Sequence, residues 1–366
     1  MADATLAETL NRAPGWRRFG IAFVVAAAAT GLALAAFVVA LDPYGTRAGP
    51  GRRPTPIMDL NQRFMYPQIV RSGRFDAALF GTSTIRLIDP AALGPLFNAR
   101  FANLGLNAGT PWEQVQLADL FLRNVARPKA MVFGLDRTWC APDADRERVT
   151  FRTFPAWLYD ERRRGNVLEL LDLKSLEIAA RVALNRLGLM PERIRQDGYE
   201  VFVPPDAKYD LVRARTHLQA VLPPQPPRPD GGLSAAERAA LPMPALPWLD
   251  ALLARIPREA EKILVFPPVH VNAQVQPGTR EADVEAECKD RVAAIARRHG
   301  ATLVDFRRPS PVTREDSNYW DPLHSRVGIA ARVAAALKEA QATGAEPPDG
   351  FYRVLARPEA PAIAKP

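Results

Sequence analysis

The sequence predicts an α/β protein, built on a mostly parallel sheet with helices on both faces and attached to one N-terminal transmembrane helix. Short apolar runs alternate with longer helical patterns between residues 75 and 340, as in parallel sheets whose strands are joined by helices. An uncharged run of 23 residues lies near the N-terminus. The chain of 366 residues is 48% hydrophobic and 24% charged, which excludes wholesale disorder and a polytopic membrane protein.

The N-terminal run is predicted to be an uncleaved membrane anchor. Residues 19–41 would form a helix of about 35 Å, enough to cross a hydrocarbon core of about 30 Å. Arg17 and Arg18 lie directly before the run and three arginines follow it at a greater distance, so the N-terminus is expected inside and the domain outside the inner (cytoplasmic) membrane. A cleaved signal peptide is the alternative, because 38–40 would pass as a small-residue cleavage site, but the run is long for such a peptide.

The rest of the chain is divided by composition. A short tail (1–18) precedes the anchor, and residues 42–56, rich in Pro, Gly and Arg, are expected to form a juxtamembrane linker. Residues 57–342 are predicted to form one large domain. Residues 343–366 contain Pro-Pro, Gly and little apolar pattern, and are expected to form a flexible tail.

Five buried strands and three long helices are expected in the domain. The strands are predicted at 75–80, 101–106, 130–135, 263–266 and 302–306, and the helices at 112–125, 283–298 and 326–340. Active sites in this architecture lie at the carboxyl ends of the strands.

Residues 141–258 are too many for a simple crossover and are predicted to be an insertion that caps the sheet edge. They include an amphipathic helical region at 167–187 and a proline-rich run at 221–232, which cannot be regular structure because proline lacks the amide donor. The insertion is either a substrate lid or packing and solvated loop.

Charge and cysteine content narrow the function classes. The formal charge is +8, yet the densest basic run, 162–164, follows two acidic residues and heads a helical stretch, so a nucleic-acid partner is disfavoured. Cys140 and Cys288 are the only cysteines. They are predicted to be either one disulfide or two isolated core thiols.

The first strand is followed by Gly81-Thr82-Ser83. A glycine and small residues at the carboxyl end of a strand permit a sharp turn that presents Ser83 as a nucleophile, with its own amide aimed at the same space. The alternative is that Ser83 only caps a helix.

The second strand leads into a glycine-rich loop. Thr110 and Glu113 form a capping-box pattern, and just upstream Gly105 or Gly109 can present a backbone amide to a developing oxyanion. A tight turn that needs positive φ explains the glycines equally well.

The last element is Asp321-Pro322-Leu323-His324, directly before a helix. An Asp three residues before a His can accept the Nδ1 proton and leave Nε2 facing a nucleophile. The alternative is a structural Asp and a half-exposed His. A metal site made of His270, Asp321 and His324 is disfavoured because no pair of ligands has helical metal spacing.

In order and placement, these three elements resemble the SGNH or GDSL hydrolase superfamily. The resemblance implies a three-layer α/β/α fold with a flavodoxin-like sheet. It also implies roles for residues: Ser83 as nucleophile, His324 as general base and then acid, Asp321 as the orienting carboxylate, and the amides of Ser83 and of Gly105 or Gly109 as oxyanion donors. The third-block Asn of the family is replaced here by Asp136-Arg137, so Arg137, Asn107 or Arg86 are candidate substitute donors.

An N-terminal anchor with these motifs is similar to anchored SGNH-like proteins of bacterial envelopes. The resemblance implies a serine esterase or O-acyltransferase that acts on an acylated glycan or polymer, needs no cofactor, and belongs to an export or acyl-donor complex. Arg86, Asp136, Arg137 and His270 are the candidate substrate-binding residues, with Trp112, Trp139, Tyr319 and Trp320 as candidate sugar-stacking or packing aromatics. A catalytically silent scaffold that binds polysaccharide or an export partner is the competing hypothesis.

Overall fold

Six strands form one sheet in the computed structural model, which describes residues 14–146, 150–160, 167–220 and 232–358. The strands are β1 Ala77–Gly81, β2 Phe101–Gly105, β3 Ala130–Gly134, β4 Glu261–Phe266, β5 Thr302–Asp305 and β6 Arg353–Ala356. Their order is β2-β1-β3-β4-β5-β6; β1 to β5 are parallel and β6 is antiparallel to β5. The predicted α/β class, the mostly parallel sheet and the five predicted strands are confirmed.

Twelve α-helices occur in the described residues. They are α1 Pro14–Leu41, α2 Gln62–Arg71, α3 Pro90–Phe97, α4 Pro111–Asn124, α5 Ala156–Tyr159, α6 Leu173–Arg186, α7 Leu211–Ala220, α8 Ala235–Ala240, α9 Leu246–Arg255, α10 Arg280–Arg298, α11 Pro311–Arg314 and α12 Val327–Thr343. The three predicted long helices correspond to α4, α10 and α12. The proline-rich run falls, except for Gly232, outside the described residues.

Strands β1 to β5 are buried on both faces, as their continuous apolar runs predict. Side chains of β1 alternate between two hydrophobic clusters: Phe80 belongs to the first and Leu79 to the second. Helices α2, α4, α9 and α10 contribute to the first cluster, and α3 and α12 to the second. The predicted insertion therefore ends before α9, which packs beside α4 as part of the crossover from β3 to β4.

Helix α1 is long and apolar enough to cross a membrane. Its last turn differs from the rest, because Val38 is buried in the first cluster. The following segment is not the free linker that its composition predicts. Tyr44 is fully buried, donates to or accepts from Ser175 Oγ at 3.0 Å, and packs on Phe64 and Trp157. Burial of the Tyr44 side chain stabilises an ordered conformation of this segment although its neighbours are rich in Pro and Gly.

The prediction of a flexible tail from residue 343 is also wrong for the part that the structure describes. Strand β6 pairs with β5, and Phe351 and Tyr352 are buried against Phe306, with ring centroids 4.9 and 5.2 Å away. Two aromatic residues and edge pairing hold this segment. Residues 359–366 lie outside the described part.

Cys140 and Cys288 form a disulfide, with their Cα atoms 5.8 Å apart. The bridge joins a 3-10 turn after β3, Arg137–Cys140, to helix α10. Of the two alternatives that the sequence left open, the structure has the bridge.

Candidate functional site

The turn after β1 carries Ser83. The chain passes from β1 into a single 3-10 turn, Ser83–Ile85, and Gly81 enters this turn where no other side chain fits. A Cβ atom on Gly81 would lie 2.9 Å from Ile85 Cγ1, closer than real Cβ contacts, and 3.0 Å from the Gly134 carbonyl oxygen, which is tighter than most of them. The glycine therefore fixes a close approach between β1, β3 and the turn, as its position in the sequence predicts.

Ser83, His324 and Asp321 form a hydrogen-bonded relay. His324 Nδ1 lies 2.7 Å from Asp321 Oδ2, and His324 Nε2 lies 2.8 Å from Ser83 Oγ. Because an ionised carboxylate only accepts hydrogen bonds, Nδ1 carries the proton and Nε2 accepts from the Ser83 hydroxyl. This arrangement makes the imidazole a general base for the serine.

Asp321 is held in its ionised form. Burial alone raises the pKa of its carboxyl, but the hydrogen bonds and charge of His324 outweigh burial, and so the pKa lies below the usual value. The amides of Leu323 and His324 donate to the other carboxylate oxygen at 2.8 and 3.0 Å. The carboxylate therefore fixes both the imidazole and the turn that carries it.

The backbone amides predicted to be oxyanion donors differ in whether they already have a hydrogen-bond acceptor. The Gly105 amide donates to Asn103 Oδ1 at 3.1 Å, and the Gly109 amide to the Leu106 carbonyl oxygen at 3.1 Å. The prediction that either amide faces the oxyanion is wrong, because each already has an acceptor. The Ser83 amide has no acceptor in the described part of the chain.

The Asn107 side chain is the remaining predicted donor on this loop. It lines the same cavity as Ser83, and its carboxamide forms no hydrogen bond with the described residues. The carboxamide is thus free to donate a hydrogen bond to a ligand in the cavity.

Asp136 follows β3 and contacts the turn that carries Ser83. Its carboxylate accepts hydrogen bonds from the hydroxyls of Thr82 and Thr84, the latter at 3.1 Å. These two residues are the chain neighbours of Ser83. The buried Arg307 guanidinium lies 3.5 Å from the same carboxylate. Asp136 lines the cavity, as predicted for a substrate contact, but its carboxylate already has three partners in the protein.

Replacing Asp136 by alanine is expected to slow covalent labelling of Ser83 by a fluorophosphonate about 10²-fold, since small misplacements of a reacting atom cost that much. Asp136→Asn keeps one carbonyl acceptor and should recover part of the rate. Asp143 is an exposed acid on the same cavity, so Asp143→Ala is the matched control. If Asp136→Ala is labelled at the rate of the unsubstituted protein and its circular dichroism spectrum is unchanged, the hydrogen bonds of Asp136 have no role in positioning Ser83.

Arg86 is a packing residue. The prediction that it contacts substrate is wrong, because its buried side chain forms an ion pair with Glu200 and stacks over Phe202, with 4.7 Å to the ring centroid. Phe202 in turn packs edge-on against the His324 ring at 5.1 Å. Arg86 therefore acts on the site through Phe202, which comes from the predicted insertion.

His270 supports the turn that carries Asp321 and His324 and does not line the cavity, so the prediction that it binds substrate is wrong. Its side chain is 2% exposed and lies 3.1 Å from Asp316 through Nε2, while Nδ1 accepts from the Asn272 amide. Burial lowers the pKa of its imidazole, against the opposing charge of Asp316. The backbone amide of His270 donates to the Pro322 carbonyl oxygen at 2.9 Å, which ties β4 to the turn that carries Asp321.

The cavity beside Ser83 has a volume of about 510 Å³, in the range of small-molecule sites. Arg137 lines it as predicted; its exposed guanidinium lies 4.0 Å from Glu285. The predicted insertion contributes Ala141, Ala144 and Thr150 to the wall. None of the four candidate stacking aromatics lines the cavity: Trp139, Tyr319 and Trp320 are buried, and Trp112 packs on Phe154 at 5.0 Å.

A buried ion pair that the sequence analysis missed supports the loop of Asn107. Both Arg63 and Glu113 are fully buried, and the guanidinium donates to the two carboxylate oxygens at 2.6 Å each. Arg63 also donates to the carbonyl oxygens of Asn107 and Ala108 at 3.1 and 3.4 Å. Ala108 is held at a φ of 49°, an uncommon conformation for a residue other than glycine. The capping box of α4 signals Glu113, but nothing local signals its partner 50 residues away.

Comparison with known proteins adds no assignment to this geometry. No model of a protein family matches the chain, and no curated protein is detectably similar to it in sequence.

Proposed function

We propose that this protein is a membrane-anchored SGNH-like serine esterase or O-acyltransferase. The observation that carries the proposal is the relay from Asp321 through His324 to Ser83, with separations of 2.7 and 2.8 Å. Ser83 is 241 residues from His324 in the sequence, and it lines the cavity together with Leu323 of the turn that carries the other two residues. If Ser83 and His324 had only structural roles, the serine hydroxyl would not need to contact Nε2, the imidazole nitrogen that does not contact Asp321.

The fold supports the same class. Strand order 2-1-3-4-5 is the flavodoxin-like order, and hydrophobic clusters lie on both faces of the sheet, as expected of the three-layer arrangement. Ser83, Asn107 and Asp136 follow β1, β2 and β3 respectively, at the edge where ligands bind in such sheets.

The proposed reaction proceeds in two acyl transfers. Ser83 Oγ attacks the ester carbonyl carbon while its proton passes to His324 Nε2, and Asp321 stabilises the imidazolium. The Ser83 amide and the Asn107 carboxamide stabilise the oxyanion. The tetrahedral intermediate then breaks its bond to the leaving alkoxide, which takes the proton from Nε2. The acyl-enzyme is cleaved by water in an esterase or by an acceptor hydroxyl in a transferase.

The substrate that we propose is an acylated glycan or polymer of the cell envelope. Helix α1 would anchor the protein in the inner membrane with the domain on the periplasmic side, and two features support this placement. Arg17 and Arg18 precede the apolar run, and the Cys140–Cys288 disulfide is typical of proteins outside the cytoplasm. A partner that supplies the acyl group or exports the polymer is part of the proposal.

The full chain in mild detergent should react with a fluorophosphonate probe at Ser83. Labelling is expected to disappear in Ser83→Ala and His324→Ala, because the first lacks the nucleophile and the second its base. Ser317→Ala and His217→Ala, which alter a half-buried and an exposed residue outside the relay, should label normally. Gel fluorescence followed by peptide mass spectrometry measures the site. Labelling that survives in both relay variants would contradict the proposal.

A catalytically silent scaffold that binds polysaccharide or an export partner is the second candidate. Two observations favour it: the amides of Gly105 and Gly109 already have acceptors, and Asp136 stands where the resembled family has an Asn. The scaffold would be favoured if the folded protein does not react with a fluorophosphonate at Ser83 although the cavity is accessible. Solvent labelling of Asp143, which lines the cavity, would show that access.

A further inference from the structure

The bilayer boundary on α1 coincides with the point where the domain begins. If the hydrocarbon core starts at Phe19, directly after Arg17 and Arg18, it ends about 20 residues later, near Val38. Val38 is buried in the domain, whereas the preceding helix is mostly exposed. The surface that surrounds Val38 therefore faces the membrane at close range.

Helix α6 lies across this end of the anchor. At its first turn, Ser175 Oγ is 3.0 Å from the hydroxyl of Tyr44, three residues beyond α1. At its last turn, the Arg186 guanidinium donates to the Leu41 carbonyl oxygen at 3.4 Å. Both ends of a helix about 21 Å long are thus tied to the same short stretch of chain, and α6 runs beside the expected membrane surface.

Exposed leucines flank α6 at both ends. Its inner face is buried through Ile178, Ala179 and Val182. The exposed leucines are Leu168, Leu171 and Leu173 at its start and Leu184, Leu187 and Leu189 at its end. A grouping of large exposed apolar side chains marks an interaction surface, and the nearest apolar phase is the one that α1 enters.

Arginines surround the same place. Arg47 donates to the carbonyl oxygens of Val39 and Ala40 at 2.7 and 3.1 Å, so it closes the end of α1. Arg53 and Arg186 line a groove of about 430 Å³ together with Glu192, and Arg47 is also paired with Asp42 at 3.4 Å. Leucines with adjacent arginines are the composition of segments that lie in a membrane interface, and the arginines complement anionic lipid headgroups.

We propose that the leucine-bearing surface of α6, residues 168–189, rests in the headgroup region of the bilayer that α1 spans. The domain would then lie on the membrane in a fixed orientation instead of moving freely on a tether. This inference depends on α1 being the anchor and does not depend on the serine chemistry.

The test uses the full chain reconstituted in vesicles of phosphatidylcholine and phosphatidylglycerol. Leu173→Trp and Leu187→Trp each place an added indole at a leucine that is 85% or 72% exposed. Lipids brominated on the acyl chain near the glycerol quench indoles that enter the interface. Because such surfaces enter by about 5–10 Å, we expect quenching of about half of the added emission, taken as the difference from the unsubstituted chain.

Val212→Trp is the matched control. Val212 is 76% exposed on α7, which packs against residues 316–318, so its added emission should be unaffected by bromine. Equal quenching at all three positions, or none at Leu173 and Leu187, overturns the proposal. Blue-shifted emission that is not quenched and that disappears on dilution means that a second copy covers the leucines, which also overturns it.

Discussion

Replacing Asp321 by asparagine is expected to lower the hydrolysis rate of an activated ester such as p-nitrophenyl acetate about 10⁴-fold, the cost of this change in serine proteases with the same relay. The amide would donate its N–H to His324 Nδ1 and stabilise the tautomer with the proton on Nε2. Nε2 would then face Ser83 Oγ, at 2.8 Å, as a donor and could not take its proton. The substitution keeps the shape of the site, so the hydrolysis rates of the purified variants report on the chemical step.

The matched control is Asp316→Asn. Asp316 also lies beside a histidine, with Oδ1 3.1 Å from His270 Nε2, but that pair does not reach Ser83. Its loss should change the rate by no more than a few-fold. If Asp316→Asn and Asp321→Asn slow hydrolysis equally, the effect belongs to folding of the turn and not to the relay.

The effect of Asp321→Asn should persist in weakly acidic solution. Contacts of His324 hold the pKa of the Asp321 carboxyl below its usual value, which is about 3.9 in an unfolded chain. The carboxylate therefore contributes stability that is fully present above about pH 4 and is lost as the pH falls through the lowered folded pKa. The Asp321 carboxyl is therefore ionised at both pH 8 and pH 6, and Asp321→Asn is expected to be slower than the unsubstituted protein at both.

Local sequence patterns predicted the residues that form the hydrogen-bonded relay. Gly81 and Ser83 follow a buried strand, and Asp321 and His324 are three residues apart on one turn, so each half of the relay is encoded within a few residues. Their convergence follows from the common edge at which parallel strands end.

The surroundings of the relay depend on contacts between distant residues, and here the predictions failed. Nothing near Arg86 in the sequence indicates Glu200, and nothing near Gly105 indicates that Asn103 Oδ1 takes its amide. His270 follows two prolines, a pattern of surface loops, yet its buried imidazole pairs with Asp316. Polar side chains in a rim can face the cavity or its supporting loops, and composition does not distinguish the two.

The predictions of a linker and a flexible tail at the two ends of the domain were wrong for a related reason. Composition describes an average over a segment, whereas single aromatic side chains decide whether the segment packs. Tyr44 and Phe351 each occur among Pro- and Gly-rich neighbours and are each fully or almost fully buried. Burial of one such side chain offsets the entropy of about one or two ordered residues, and only when the fold offers a pocket, which the sequence does not reveal.

The loop that carries Asn107 is supported by the Arg63–Glu113 pair, and removing one partner should have the largest effect on stability. Arg63→Ala is expected to lower the free energy of unfolding by about 3–5 kcal/mol, because the Glu113 carboxylate would remain buried without its counter-ion. The loop carbonyl oxygens of Asn107 and Ala108 would also lose their donor. Guanidinium chloride titration of the full chain in mild detergent measures the change.

An arginine in an exposed ion pair provides the control. Arg298 Nη1 lies 2.7 Å from Asp250 Oδ2, and the two side chains are 59% and 34% exposed, so Arg298→Ala should cost no more than about 1 kcal/mol. The double variant Arg63→Met, Glu113→Leu removes both charges and should be more stable than Arg63→Ala, since no charge is left unpaired. A cost for Arg63→Ala no greater than that of Arg298→Ala would mean that water reaches the pair and that the loop does not depend on it.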